Sequence, residues 1–315
     1  MPKFFGYENE IRVDLERQGA IVDWLPDRPF DSPALKALTK LSPSWTLPFT
    51  DFYYQNLLSS FNSKSYSKIF VINGQTLSYK FLSKLRSSYP AAEVMLYMWD
   101  SIKNRPNIIK NLSLFDKAFS FDTEGTKEYG LHHRPLFFSP GFKPSASSSP
   151  NYHLSFIGTA HSDRYEVISK VGNNLPEAIN TFLYLYLQAP WVFYAYKLTK
   201  PNFHGAKKTD FNFQPLNKDM VQSVFSKSFA ILDVEHPHQT GLTIRSLEAF
   251  GAHKKLVTTN QAIENYDFYS PNNICIIDRK KPEIPKSFFD EKFTTPSPSI
   301  YEKYSLRGWL NEIFE

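Results

Sequence analysis

Short apolar runs closed by turn residues alternate with segments of helical spacing along most of the chain. AIVDWL (20–25), KIFVING (68–74), AEVMLYMWD (92–100) and KAFSFD (117–122) read as strands. Between them, ENEIRVDLERQG (8–19) sets Ile11, Leu15 and Gln18 at helical spacing and stops at Gly19, and TLSYKFLSKLRSSYP (76–90) also reads as a helix. Strand, helix, strand at this spacing predicts parallel α/β layers. The rhythm breaks at GFKPSASSSPNYH (141–153), rich in Ser and Pro, where a linker is expected between a domain at 1–148 and another at 149–298. It then resumes: HLSFIGTA (153–160) as strand, SDRYEVISKVG (162–172) as helix, SFAILDVE (228–235) as strand, a helix within 236–253, and KKLVTTN (254–260) and NICIID (273–278) as strands. The tail SIYEKYSLRGWLNEIFE (299–315), with Ile300, Tyr304, Leu310 and Phe314 available to one face, reads as a terminal helix packing back on the first domain.

Two stretches fit this pattern poorly. A helix at 8–19 should follow a central strand, yet only MPKFFGY precedes it. Either Lys3 to Phe5 supply a short strand, the start is placed too late, or the domain is built differently. The run AINTFLYLYLQAPWVFYAY (178–196) is the most apolar, but Asn180, Gln188 and Pro190 interrupt it and it is short for a spanning helix. An aromatic strand or helix buried between layers is expected there, with an interfacial element touching lipid as the alternative.

At 315 residues, with 42% hydrophobic and 16% aromatic residues, the chain suits two packed domains and the cleft that two domains make. A formal charge of +5 is too mild and scattered for nucleic-acid binding. The single cysteine, Cys275, forms no internal disulfide, and the first residues lack the apolar core of a signal peptide, so a cytoplasmic setting is expected. The basic run KLTKPNFHGAKK (197–208) is a solvated loop or a contact for anionic lipid or polysaccharide.

Absent motifs remove whole classes of chemistry. No GxGxxG follows a strand, no GxxxxGK[ST] makes a P-loop, and no GxSxG makes a hydrolase elbow. No Asp-x-Asp occurs, Asp233 and Glu235 being the nearest approach, and His236 and His238 lack further ligands at metal spacing, so no metal or other cofactor is expected. The segment HPHQTGLTIRSLEAFGAHKKLVTTN (236–260) carries the positive signal. Its loop and helix start, with Thr240 as N-cap, fall at the carboxyl end of a strand, where a phosphate finds free N–H groups and the helix dipole. Gly241 lets the backbone come close. Arg245 and Glu248, three apart, share a helix face; a guanidinium suits a diphosphate and a carboxylate suits two ribose hydroxyls, although an ordinary surface ion pair has the same spacing. A second polar turn, FIGTAHSDRYE (156–166), puts Gly158, His161, Ser162, Asp163 and Arg164 at the same sheet edge.

LSFIGTAHSDRY, the 236–260 segment and the following NYDFYSPNNICIIDR resemble the C-terminal half of bacterial glycosyltransferases of lipopolysaccharide, capsule and exopolysaccharide biosynthesis, of the GT-B type. The resemblance extends weakly through YMWDSIKNRPN (97–107) and FDKAFSFDTEGTKEYGLHHRPLFF (115–138). It implies two Rossmann-like domains facing each other across a cleft, a nucleotide-sugar in the C-terminal domain, a glycan or lipid-linked acceptor at the N-terminal one, and peripheral contact with the inner face of the plasma membrane. It places Glu248 on the donor ribose, Arg245 near the diphosphate, and Thr240, Gly241 and Thr243 at the phosphate-facing helix start; from their place at the same turns, His236, Gln239 and Gly158 are read as further donor-binding residues. For a base, Asp100 ends a strand beside Trp99, a stacking surface for a sugar, but equally caps the next helix. His161 and Asp163 are its rivals, and a retaining mechanism needs none of the three. A sugar-nucleotide epimerase and a non-catalytic sugar-binding protein fit the same residues. His132 and His133 are read as lining the approach to the linker.

Overall fold

The computed structural model describes residues 5–26, 43–61, 63–144, 150–237 and 239–315. It divides into two compact units, Met1–Pro135 and Leu136–Glu315.

In the first unit four parallel strands lie in chain order, β1 (Lys68–Ile72), β2 (Glu93–Met98), β3 (Lys117–Ser120) and β4 (His132–His133). The unbroken apolar run of β2 is what a parallel strand covered on both faces requires, and Val94 to Met98 are fully buried. Val71, Leu96, Met98, Ile102 and Ile108 pack one cluster; Tyr54, Leu58, Phe81, Leu82 and Leu85 pack another. Ser78 caps the helix Tyr79–Ser88, accepting from the Phe81 N–H at 3.0 Å and donating to Asp51. The helix at the start of the chain forms over Tyr7–Arg17.

Three expectations change here. AIVDWL is not a strand: Ile21 is 94% exposed, and Asp23 is turned to Lys64 and Tyr66, so the run neither pairs nor packs as strand alternation demands. Lys3 and Phe4 lie outside the described residues, and Phe5 and Gly6 form a turn with positive φ. His132 and His133 form the exposed edge strand of this sheet.

The second unit holds five parallel strands: β5 (Tyr152–Thr159), β6 (Thr181–Tyr186), β7 (Ser228–Asp233), β8 (Lys255–Thr258) and β9 (Ile274–Ile276), in spatial order β6-β5-β7-β8-β9. The chain leaves β5 outward to β6, then returns past it to β7, so the winding reverses between β5 and β7. In an open α/β sheet that reversal opens a crevice at the carboxyl ends of the two strands. Leu154, Phe156, Val167, Leu185, Leu232 and Val257 belong to one large core cluster of this unit.

The border between the units falls before the Ser/Pro-rich stretch, not within it, because three aromatic residues anchor 136–142 to the second unit. Phe137 packs on Trp309 (ring centroids 4.8 Å), Phe138 on Tyr301 (4.7 Å) and Phe142 on Phe225 (5.0 Å). The tail forms two short helices, Pro298–Lys303 and Leu306–Phe314, whose Trp309, Leu310 and Ile313 are buried. Backbone bonds from the Phe138 N–H to Tyr304 O (2.9 Å) and from the Leu306 N–H to Phe138 O (3.2 Å) fix the tail within this unit. The run 178–196 resolves into the edge strand β6 followed by a helix, Pro190–Thr199.

Candidate functional site

The two segments singled out by the sequence meet at the reversal point. β5 ends at Thr159 and leads through His161 into the helix Arg164–Asn174; β7 ends at Asp233 and leads through Glu235 and His236 toward the helix Ile244–Gly251. The rings of His161 and His236 lie 5.8 Å apart.

Arginines tie the strand ends together. Arg164, the first residue of its helix, donates through Nη1 to Thr159 O (3.0 Å) and through Nε to Val234 O (2.8 Å), so one guanidinium spans the carbonyls at the ends of β5 and β7. Gly158 makes room for it: a Cβ there would stand 2.8 Å from the Phe156 ring and 3.4 Å from Arg164 Nη1. Arg279, just after β9, reaches back with Nη1 to both Asp163 oxygens (2.9 and 2.8 Å) and with Nη2 to the Glu235 carbonyl (2.6 Å) and carboxylate (2.5 Å). Burial works to lower the Arg279 pKa, but the hydrogen bonds of Glu235 and Asp163 outweigh it and hold the guanidinium charged. Burial lowers that of Arg164, with Asp233 and Glu235 opposing and Arg245 and Arg279 reinforcing the fall. Three guanidinium groups and two carboxylates therefore share one local field.

The acidic side chains are committed to shaping the loops. Asp233, 3% exposed, accepts from Thr243 Oγ1 and Ser246 Oγ, both at 2.6 Å; Glu235 accepts from Thr259 Oγ1 at 2.5 Å. The Asp233 bonds explain why the helix starts later than Thr240. Thr243 is the N-cap, accepting from the Ser246 N–H at 3.3 Å, and the strand-end carboxylate fixes both residues of that turn. Gln239 and Asn260 both donate to Gly241 O (2.9 and 3.3 Å), pinning the loop that contains Thr240. His238 lies outside the described residues.

Arg245 and Glu248 are paired, Nη1 to Oε2 at 3.0 Å, yet they are not a solvated surface pair: the side chains are 22% and 2% exposed. The Arg245 guanidinium also lies 5.2 Å over the Phe225 ring. The i, i+3 spacing thus sets an ion pair against the wall of the unit, where its charges are poorly screened.

Each of the three residues considered as bases has a local partner. Asp163 is held by Arg279. His161 bonds through Nδ1 with Ser162 Oγ at 3.0 Å; burial, reinforced by Arg164, His236 and Lys200, pushes its pKa down to about 4, so the imidazole is neutral near pH 7. Asp100, in the first unit, accepts from the Ser101 N–H (2.9 Å), Asn104 Nδ2 (2.9 Å) and Arg105 Nε (3.0 Å), closing the turn after β2. Trp99 beside it donates its backbone N–H to Asn73 Oδ1 (2.8 Å) and packs its ring on Tyr7 (5.7 Å). Arg279 carries no role in the sequence reading: it lies in the charged run DRKK, and its partners Asp163 and Glu235 are set by strand order.

No family model and no curated protein matches this chain. Among solved structures, the apo form of the lipopolysaccharide outer core galactosyltransferase WaaB aligns with 90% of this chain and 82% of its own, at 12% identity and a TM-score of 0.49. Anabaena HepE, solved in complex with UDP and glucose, aligns with 96% of this chain and 87% of its own, at 12% identity and a TM-score of 0.55. The HepE likeness shows the fold alone: the chain has the GT-B fold, with two Rossmann-like α/β units in one polypeptide.

Proposed function

We propose that the chain is a metal-independent glycosyltransferase that binds a nucleotide-sugar at the reversal point of the second sheet and passes the sugar to a hydroxyl of a surface polysaccharide or lipid-linked glycan. The observation that carries this reading is the group of three arginines and Glu248 at the carboxyl ends of β5, β7 and β9, built on the fold shared with a protein solved with UDP and glucose. Arg245 and the start of the helix Ile244–Gly251 take the diphosphate, and Glu248 takes the ribose hydroxyls. Neutral His161, with His236 beside it, hydrogen-bonds phosphate or sugar oxygens. Catalysis rests on positioning and on stabilising the departing nucleoside diphosphate, with Asp100, His161 and Asp163 as the groups to test for proton transfer. The engagement of Asp233 and Glu235 by hydroxyls and Arg279 supports a reaction without a divalent cation. The reading sets the protein in the cytoplasm, where nucleotide-sugars are made, in peripheral contact with the membrane that carries a lipid-linked acceptor.

The test is a thermal-shift series with UDP, GDP, CMP and dTDP, free and sugar-linked. A ligand at a hundredfold excess over its Kd stabilises the folded state by about 2.7 kcal/mol, which appears as a rise of several degrees in Tm. No shift with any of them removes the donor site, and turnover of the nucleotide-sugar without an acceptor identifies an epimerase instead.

A further inference from the structure

The connection from β6 to β7 is longer than a crossover requires. The helix Lys218–Ser226, capped by Asn217, already supplies the crossover and buries Val221 and Phe225. Residues 188–211 form an added excursion closed at its base, where the Leu187 N–H donates to Asn212 O (2.9 Å) and the Asn212 N–H to Leu185 O (2.7 Å). Its helix, Pro190–Thr199, is anchored on one side only. Val192 and Phe193 are buried, and Tyr196 packs edge-on against Phe203 with centroids 5.1 Å apart. At 100° per residue the other side is a single stripe, Trp191, Tyr194 and Leu198. These three are 71%, 54% and 83% exposed, the largest grouping of exposed apolar side chains on one described element.

Along this segment of the chain the charge is of one sign. From 178 to 209 the sequence has Lys197, Lys200, Lys207 and Lys208 and no Asp or Glu. The next acid, Asp210, is occupied by Tyr165 at 2.7 Å. Lys197 donates to Ala206 O (3.0 Å) and lies 5.7 Å over the Phe193 ring, so its ammonium is turned to the anchored side of the helix, whereas Lys207 and Lys208 are exposed. Trp and Tyr with one apolar and one polar end, an exposed Leu between them and lysines around the edge match the boundary layer of an anionic bilayer, where apolar side chains enter below the headgroups and ammonium groups meet phosphate. Among the described residues no helix is long and apolar enough to cross a membrane, so such a contact lies on the surface.

We propose that the excursion 188–211 is a membrane-docking element, with Trp191, Tyr194 and Leu198 inserting into the interface of an anionic lipid bilayer and Lys207 and Lys208 binding its headgroups. The excursion springs from the carboxyl edge of the sheet, and Lys200 is near enough for its charge to act on His161. Docking therefore brings the bilayer surface to the mouth of the candidate site. The proposal gives the membrane contact of the functional reading a location, but its surface argument uses no sugar chemistry.

Flotation of the full chain with vesicles tests it, using phosphatidylcholine alone and phosphatidylcholine mixed with phosphatidylglycerol, without nucleotide or acceptor. The chain should bind the mixed vesicles and bind the neutral ones weakly. Trp191→Ser with Leu198→Ser should cut binding to mixed vesicles about tenfold, and Lys207→Glu with Lys208→Glu should abolish the preference for anionic lipid, all with unchanged Tm because these side chains are exposed. Failure of the parent chain to float, or equal binding by the Trp191→Ser, Leu198→Ser variant, overturns the proposal. So does a dimer of the parent chain that the same variant converts to monomer, since the stripe would then be a contact between copies. Donor binding in the thermal-shift series is read separately, so either idea can fail alone.

Discussion

The carboxyl edges of the two sheets are built from the same strand-to-helix turns, yet only one joins charged residues from turns far apart in sequence. In the first unit the described strands follow in chain order, so successive turns step along the edge and bond within themselves or to the next turn, as Trp99 does to Asn73 and Lys103 to Glu124. Asp100 closes its own turn with Ser101, Asn104 and Arg105, and Asp122 caps its own helix through the Glu124 N–H. In the second unit the winding reverses, and turns distant in sequence must coexist at the crevice. Arg279 lies 116 residues from Asp163 and 44 from Glu235, and Arg164 lies 70 from Val234. Strand order, more than residue type, decides whether a charged residue at a strand end serves its neighbours in sequence or a site assembled from several turns.

The strongest way to break this comparison is to remove its longest-range member. Arg279→Ala leaves Glu235, 5% exposed, and Asp163 without their shared guanidinium. Loss of one partner from a well-buried pair costs about 3 to 5 kcal/mol. Arg279 keeps a fifth of its side chain in solvent, so about 2 to 3 kcal/mol is expected here, read from urea denaturation. A loss below about 0.5 kcal/mol, within the ordinary range for surface substitutions, would mean that the clamp is decorative and the two edges are alike.

Next in size is Glu248→Gln. The substitution keeps the side-chain volume but removes the charge that pairs with Arg245. If the carboxylate holds ribose hydroxyls, affinity for the nucleoside diphosphate identified by thermal shift should fall about 10- to 100-fold, because charge-assisted hydrogen bonds contribute about 1.5 to 3 kcal/mol. Unchanged affinity in calorimetry would return Glu248 to a purely structural ion pair.

The pH dependence gives a smaller effect of definite sign. His161 has its folded pKa pushed down to about 4, below the ordinary value of 6.5, mainly by burial. The unfolded chain therefore binds a proton that the folded chain refuses between those values. The contribution of this residue is fully present above pH 6.5, declines as pH falls toward 4, and changes no further below that. His161→Gln should flatten this part of the Tm-against-pH curve, and the His161 ring resonances should show no titration above about pH 5.

Much of the architecture was legible because parallel α/β proteins write their strands as apolar runs and their helices as 3.6-residue stripes. β1, β2, β3, β7, β8 and β9 all fall inside runs read as strands, and β5 begins one residue before its run. AIVDWL failed because an apolar run of six residues carries no information on whether a partner strand exists; Ile21 ended in solvent. The border between the units was misplaced because Ser and Pro mark loops, whereas Phe137, Phe138 and Phe142 mark which core the chain has already joined. At the candidate site, His161, Asp163, Arg164, Arg245 and Glu248 could be named from local turns. Arg279 could not, since its partners are set by strand order and no local pattern encodes that.

The smallest effect is expected in the first unit, and there the comparison is sharpened most cheaply. Asp100→Asn retains an oxygen acceptor for the Ser101 N–H and weakens only the ion pair with Arg105, whose members are 33% and 22% exposed. Partly solvated pairs of this kind contribute about 1 kcal/mol or less. The substitution should lower stability by that amount at most and leave nucleotide affinity in calorimetry unchanged, since Asp100 belongs to a different unit from the proposed donor residues. Its effect on transfer is the informative quantity. A turnover number near that of the parent chain assigns Asp100 to its turn alone, and a loss of about 100-fold or more with intact donor binding assigns it the acceptor proton, because general base catalysis contributes about 10²- to 10⁴-fold. In the second case the first sheet edge would hold a functional group after all, supplied by a single turn and recruited without the reversal that the second edge needs.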